Sequence, residues 1–223
     1  MIVSSRIMHI LRTLFTLLLA GVVLASDNLQ APLRDEISSP PAENFVVYES
    51  DAYPYHSIRI KRQNSTLCDT PAEQYTGWLD IGHNHIFFWY FAPERDDALN
   101  EDILTLWLAG GPGVPSVVSM LQELGPCLIN EHGNGTVYNP YGWNKNTALL
   151  FVDQPAGVGF SYVDDGEQVP GDSFTSASDM YAFLKLFTTQ VFPKHKEAPL
   201  IITGESYAVR DTFFPDLLGI VDC

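Results

Sequence analysis

Gly204-Glu205-Ser206-Tyr207-Ala208 places a serine between small residues, directly after the apolar run at 199–203. A serine in a G-x-S-x-G/A turn that follows a buried strand can form a nucleophile elbow. The strained turn projects Oγ, and small neighbours relieve the crowding where strand becomes helix. The same residues also suit an ordinary strand-to-helix turn capped by the Ser206 hydroxyl. A second segment shifts the reading toward chemistry: Trp107-Leu108-Ala109-Gly110-Gly111-Pro112-Gly113, again at the end of an apolar run. A glycine pair there lets backbone N–H groups approach a developing oxyanion, and the elbow adds the N–H of Tyr207. The chemistry so indicated is acyl transfer through a serine nucleophile.

Such residues need a rigid frame. Residues 85–91 (HIFFWYF) and 103–108 (ILTLWL) read as strands, the second lying between Asp96-Asp97 and the glycine-rich segment. Residues 148–152 (ALLFV) form a continuous apolar run, the pattern of a strand covered on both faces. Residues 117–124 predict a short helix. A longer helix is predicted from an N-cap at Ser173 through Gln190, with Phe174, Ala177, Tyr181, Leu184 and Phe187 near a 3.6 period and Pro193 as its stop. Residues 199–203 predict the next buried strand. Strand, helix and strand in this order predict an α/β sheet with right-handed crossovers.

The 223 residues carry 12 basic and 27 acidic side chains, a net charge of −15. No basic patch is present, so no nucleic-acid partner is expected. With 46% apolar and 12% aromatic residues, the chain is no disordered acidic tail. Arg6 and Arg12 precede an apolar run at 14–24 that ends in Val23-Leu24-Ala25, so residues 1–25 predict a secretory signal peptide. That run is too short for a stable membrane anchor, which needs roughly 20 residues. Residues 26–45, with Pro32, Pro40 and Pro41, predict a leader or pro-segment, and 46–223 the folded part. Asn64 and Asn134 open N-x-Thr triplets and become glycan acceptors if the chain is exported. Three cysteines, Cys68, Cys127 and Cys223, leave the disulfide pairing open. His83 and His85 could face one side of a strand as a metal pair. No third ligand is evident, so they read as strand histidines, and neither metal nor cofactor is expected.

Four ordered segments resemble those of the serine carboxypeptidase family: WLAGGPG at 107–113, ELGPC at 123–127, FVDQPAGVGFSY at 151–162 and ITGESYA at 202–208. Weaker similarity runs through QYTGWLDIGHNHIFFWYF at 74–91. The resemblance implies an α/β-hydrolase-like sheet with flanking helices, incomplete on its C-terminal side. It also implies secretion or vacuolar/lysosomal delivery, and release of C-terminal residues from peptides or proteins, best in acid. Carried over by position, Ser206 would be the nucleophile, with the N–H groups of Gly111 and Tyr207 forming the oxyanion hole. Trp107, Gly110, Glu123 and Glu205 would hold the substrate's terminal carboxylate. Two carboxyl groups in hydrogen-bond contact cannot both ionise cheaply, so a protonated Glu123 or Glu205 could donate to that carboxylate. Asp153 and Gln154 either shape the neighbouring wall or belong to a structural loop.

The chain departs from the family pattern at several positions. Ala109 stands where members usually have Asn, Val114 and Pro115 replace a small or cysteine-containing stretch, and Val209 and Asp211 break the usual continuation after GESYA. The family's triad runs Ser, Asp, His, whereas His9, His56, His83, His85, His132 and His195 all precede Ser206 and the sequence closes at Cys223. The expectation is an amino-terminal portion of a serine carboxypeptidase without the triad Asp and His, inactive alone. An acyltransferase on the same fold, or a catalytically silent fragment that binds peptide C-termini, would carry the same residues.

Overall fold

The structure, a computed structural model, describes residues 45–94 and 103–208. The expected signal at 1–25, the expected leader at 26–45 except for Phe45, and Asp96-Asp97, Val209, Asp211 and Cys223 lie outside the described residues. Four strands, β1 (Val46–Glu49), β2 (His56–Gln63), β3 (Gln74–Ile81) and β4 (Asn84–Phe91), run as an antiparallel meander. After β5 (Leu104–Leu108) the chain forms α1 (Ser116–Ser119), which continues as a π turn over Met120–Leu124. A separate hairpin of β6 (Cys127–Ile129) and β7 (Thr136–Tyr138) precedes β8 (Ala148–Val152) and the short β9 (Tyr162–Val163). Helix α2 (Ser173–Leu186), extended by a π turn over Phe187–Val191, leads to β10 (Leu200–Gly204). Across the main sheet the order is β1-β2-β3-β4-β8-β5-β10, with β9 also paired to β4. Strands β8, β5 and β10 are mutually parallel, and β8 joins the meander antiparallel to β4.

HIFFWYF is apolar at almost every position because both faces of its strand are covered. Ile86, Phe88 and Tyr90 join Leu106, Leu108, Leu150 and Val152 in the cluster under α2, where Met180, Phe183 and Phe187 pack. Phe87, Trp89 and Phe91 point the other way, to Trp107, Leu149, Phe151 and the Val117–Leu124 segment. The period of two thus sorts one apolar run into two cores. The second core is stapled by a Cys68–Cys127 disulfide, which links the turn after β2 to β6 across 59 residues.

The strands predicted at 85–91, 103–108, 148–152 and 199–203 are β4, β5, β8 and β10 to within a residue. Three details differ. Asp172 rather than Ser173 caps α2, its carboxylate accepting the N–H and the hydroxyl of Thr175, each at 2.9 Å. Phe174 is exposed, because the buried face of α2 runs through Ala177, Met180, Phe183, Leu184 and Phe187. Strand β10 is not fully buried; Ile201 is exposed, because no described strand pairs with β10 on the side away from β5.

Candidate active site

Ser206 follows β10 directly and holds φ +56°, in the left-handed region that residues with a Cβ seldom adopt. The turn is tight on both flanks. A Cβ on Gly204 would stand 2.8 Å from the Ala208 Cβ and 2.8 Å from the Leu108 carbonyl oxygen, so both small residues are required. Parallel pairing of β10 with β5 puts Gly204 opposite Leu108 and Thr203 opposite Trp107. The two glycine-containing strand ends therefore lie side by side.

Gly110 is the point of closest approach. A Cβ there would lie 2.6 Å from the Glu205 carbonyl oxygen, 2.9 Å from the Ser206 Cβ and 3.0 Å from the Tyr207 nitrogen. Only glycine lets the two turns nest, and Gly111, at φ +112°, continues the loop. The structure thus brings Gly110 against Glu205, Ser206 and Tyr207, with Gly111 next along the loop. Trp107 is buried at the end of β5, edge-on to Trp143 with ring centroids 5.7 Å apart. Its Nε1–H is buried without a hydrogen-bond partner among the described residues.

Glu123 sits on the π turn after α1 and Glu205 directly after β10, and both are exposed. No described histidine hydrogen-bonds Ser206. His56 meets the Pro54 carbonyl, His83 and His85 meet Asp164, and His195 packs on Tyr90. Asn64 and Asn134 lie in exposed turns. The Asn64 Oδ1 accepts from the Thr66 N–H at 3.1 Å, and the Asn134 Oδ1 accepts from the Asn130 Nδ2 at 2.9 Å.

Sequence reasoning missed Ser116. Its buried hydroxyl accepts the Ala109 N–H at 3.0 Å and donates to the Val152 carbonyl at 2.6 Å, tying the end of β5 to the end of β8. Nothing local marks it, since a serine before an apolar turn is common. Asp153, left open between a wall and a loop residue, is buried beside it. Burial pushes its carboxyl up to about 6 even though the backbone N–H groups of Phe160, Val117 and Ser116 favour the charged form.

Residues 65–210 match the serine carboxypeptidase family. Carboxypeptidase Y of Schizosaccharomyces pombe is 42% identical over 160 residues, covering 70% of this chain and 15% of the relative. Carboxypeptidase Y homolog A of Emericella nidulans is 43% identical over 157 residues, covering 69% of this chain and 27% of the relative. Among solved structures, a prohormone-processing carboxypeptidase from Saccharomyces cerevisiae superposes with a TM-score of 0.53 at 26% identity, covering 75% of this chain and 34% of that one. The chain belongs to the serine carboxypeptidase family, and it spans less than a third of the length of these yeast and fungal relatives by sequence.

Proposed function

We propose that this protein acts as a serine-type carboxypeptidase, releasing C-terminal residues from peptides through an acyl-enzyme. The observation that carries the reading is Ser206 at φ +56°, raised at the end of a parallel strand with Gly110 packed against it. In this mechanism the Ser206 Oγ attacks the scissile carbonyl, and the N–H groups of Gly111 and Tyr207 receive the oxyanion. Trp107, Gly110, Glu123 and Glu205 contact the substrate's free carboxylate. The unpartnered Nε1–H of buried Trp107 supports a polar ligand nearby, since such a donor is costly to leave unmet. The general base for Ser206 comes from outside the described residues, because no described histidine hydrogen-bonds Ser206.

The test uses protein isolated from the cells that make it. Release of the terminal amino acid from an N-blocked dipeptide, lost in Ser206→Ala and poor when the terminal carboxyl is amidated, supports the reading. Turnover indifferent to Ser206→Ala overturns it, and tight binding of free-acid peptides without turnover favours a silent binder. Export through cleavage after Ala25, vacuolar or extracellular residence, and glycans on Asn64 or Asn134 belong to the same proposal. A mature N-terminus at Ser26 and a mass shift on glycosidase treatment support them; retained Met1 and an unchanged mass overturn them. No described helix is long and apolar enough to cross a membrane.

A further inference from the structure

Asp153 is a buried carboxyl, 1% exposed, and it takes part in no ion pair among the described residues. The segments packed around it supply no counter-charge. Ser116–Ser119 and residues 157–161 contain no titratable side chain, and on β4 the nearby His85 is engaged by Asp80 and Asp164. What surrounds the carboxyl is backbone. Its Oδ1 accepts the Val117 N–H at 3.1 Å, in the first turn of α1, and its Oδ2 accepts the Phe160 N–H at 3.1 Å. Its own N–H donates to the Phe87 carbonyl at 3.0 Å, and its carbonyl accepts the Ser161 hydroxyl. Gly159 is shaped to this group: it holds φ +57°, and a Cβ there would lie 2.2 Å from Oδ2.

Ser116 acts one residue earlier. It is 1% exposed, and its hydroxyl bridges the Ala109 N–H to the Val152 carbonyl, the residue before Asp153. The Ser116 hydroxyl thus closes the Ala109–Ser116 loop on itself and fastens it to the end of β8, where Asp153 holds the next residue, Val117. That loop carries Gly110 and Gly111, and three glycines with a proline between them have no side-chain packing to define their path. Oxyanion donors act through preorganisation, so whatever defines the path of this loop bears on the chemistry. An ionised carboxylate suits the task because both oxygens accept and neither donates, so it can take N–H groups from two segments at once. Asn would offer one acceptor and set its NH2 against the second N–H.

We propose that Asp153 and Ser116 are positioning residues for the Ser206 site: together they clamp the Ala109–Ser116 loop to the end of β8, and so hold the Gly110-Gly111 backbone against the elbow. The proposal rests on the acyl-transfer reading above, and its test separates the two.

Residue-resolved amide hydrogen exchange is measured on the protein expressed from its own gene, and on Asp153→Asn and Ser116→Ala. Asp153→Asn speeds exchange at Val117 and Phe160 by tenfold or more, and Ser116→Ala does so at Ala109, with the interiors of β4 and β8 unchanged. In the same samples the saturated rate of Ser206 labelling by a fluorophosphonate falls at least tenfold, while the half-saturating probe concentration stays the same. Loosened loops with an undiminished labelling rate overturn the positioning role. Where a variant fails to fold, the unaltered protein decides: Val117 and Phe160 amides that exchange as fast as an exposed turn overturn the clamp, and protected ones support it. A Ser206 unreactive in the unaltered protein overturns the acyl-transfer reading and the role with it. A reactive Ser206 with both variants unchanged overturns the clamp alone.

Discussion

The His85 imidazole lies flat on the Tyr162 ring, with centroids 4.2 Å and planes 20° apart. The same imidazole meets Asp80 through Nδ1 at 2.5 Å and Asp164 through Nε2 at 3.1 Å, while His83 meets the other Asp164 oxygen at 3.2 Å. Arg59 completes the group, donating from Nε to the Asp80 Oδ2 at 2.8 Å and from NH2 to the Tyr162 hydroxyl at 2.6 Å. The two histidines, His85 on β4 and His83 in the β3–β4 turn rather than on a strand as expected, thus fasten Asp164, the residue after β9, to the meander.

Hydrogen bonds from His83 and then His85 hold the Asp164 carboxyl below its ordinary value of 3.8. A lowered carboxyl contributes its stability above the unfolded value and loses it as pH falls through the folded one. Exchange of the 162–167 amides should therefore accelerate only in strong acid, below about pH 4. Asp164→Asn should loosen the segment at every pH and remove the acid step, read by exchange from pH 2 to 6.

Asp153 has the opposite sign. Its carboxyl is raised to about 6 from 3.8, so the folded state binds a proton that the unfolded chain has released between those values. Stability present below pH 4 is lost as pH rises through 6, by roughly 2–3 kcal/mol at neutral pH. In Asp153→Asn that slope should vanish, measured as the urea midpoint at pH 4, 6 and 8.

The Cys68–Cys127 bridge closes a long loop across 59 residues. On the chain-entropy estimate its removal costs about 4 kcal/mol. Cys68→Ser with Cys127→Ser should lower the denaturation midpoint accordingly, and exchange should rise first around β6 and the ELGPC segment.

Phe88 is fully buried and packs on Phe183 and Phe187 at centroid distances of 5.2 and 5.6 Å. Phe88→Ala should cost about 3–5 kcal/mol, through lost burial and the cavity left under α2. Urea unfolding checks it.

Ala109 keeps its N–H on Ser116, so a longer side chain there leaves that tie intact. Ala109→Asn adds a donor beside the glycine loop, worth about 1.5–3 kcal/mol toward a charged acceptor. KM for free-acid peptides should fall ten- to hundredfold, while ester hydrolysis stays nearly unchanged; steady-state kinetics on both substrates measure it. Equal gains on acids and esters would place position 109 away from the carboxylate.

Much of the frame is legible in the sequence because its causes are local. The apolar runs that became β4, β5 and β8 record the coverage of a strand on both faces, and Gly204, Ser206 and Ala208 record the steric demand of one tight turn. The order of the glycine loops and the elbow along the chain likewise pointed to the serine carboxypeptidase family. What folding alone decided is pairing between distant segments. Asp172 and Ser173 are adjacent and equally able to cap α2; which one does so depends on the helical register set by packing Ala177, Met180 and Phe183 on the sheet. Cys68 chooses Cys127 because β6 lies beside the second core. Ser116 and Asp153 are ordinary residues in the sequence, and they become a clamp only when parallel pairing sets the end of β8 beside the end of β5. Residue type is written along the chain, but a hydrogen bond between residues 36 positions apart exists only once the sheet has chosen its neighbours.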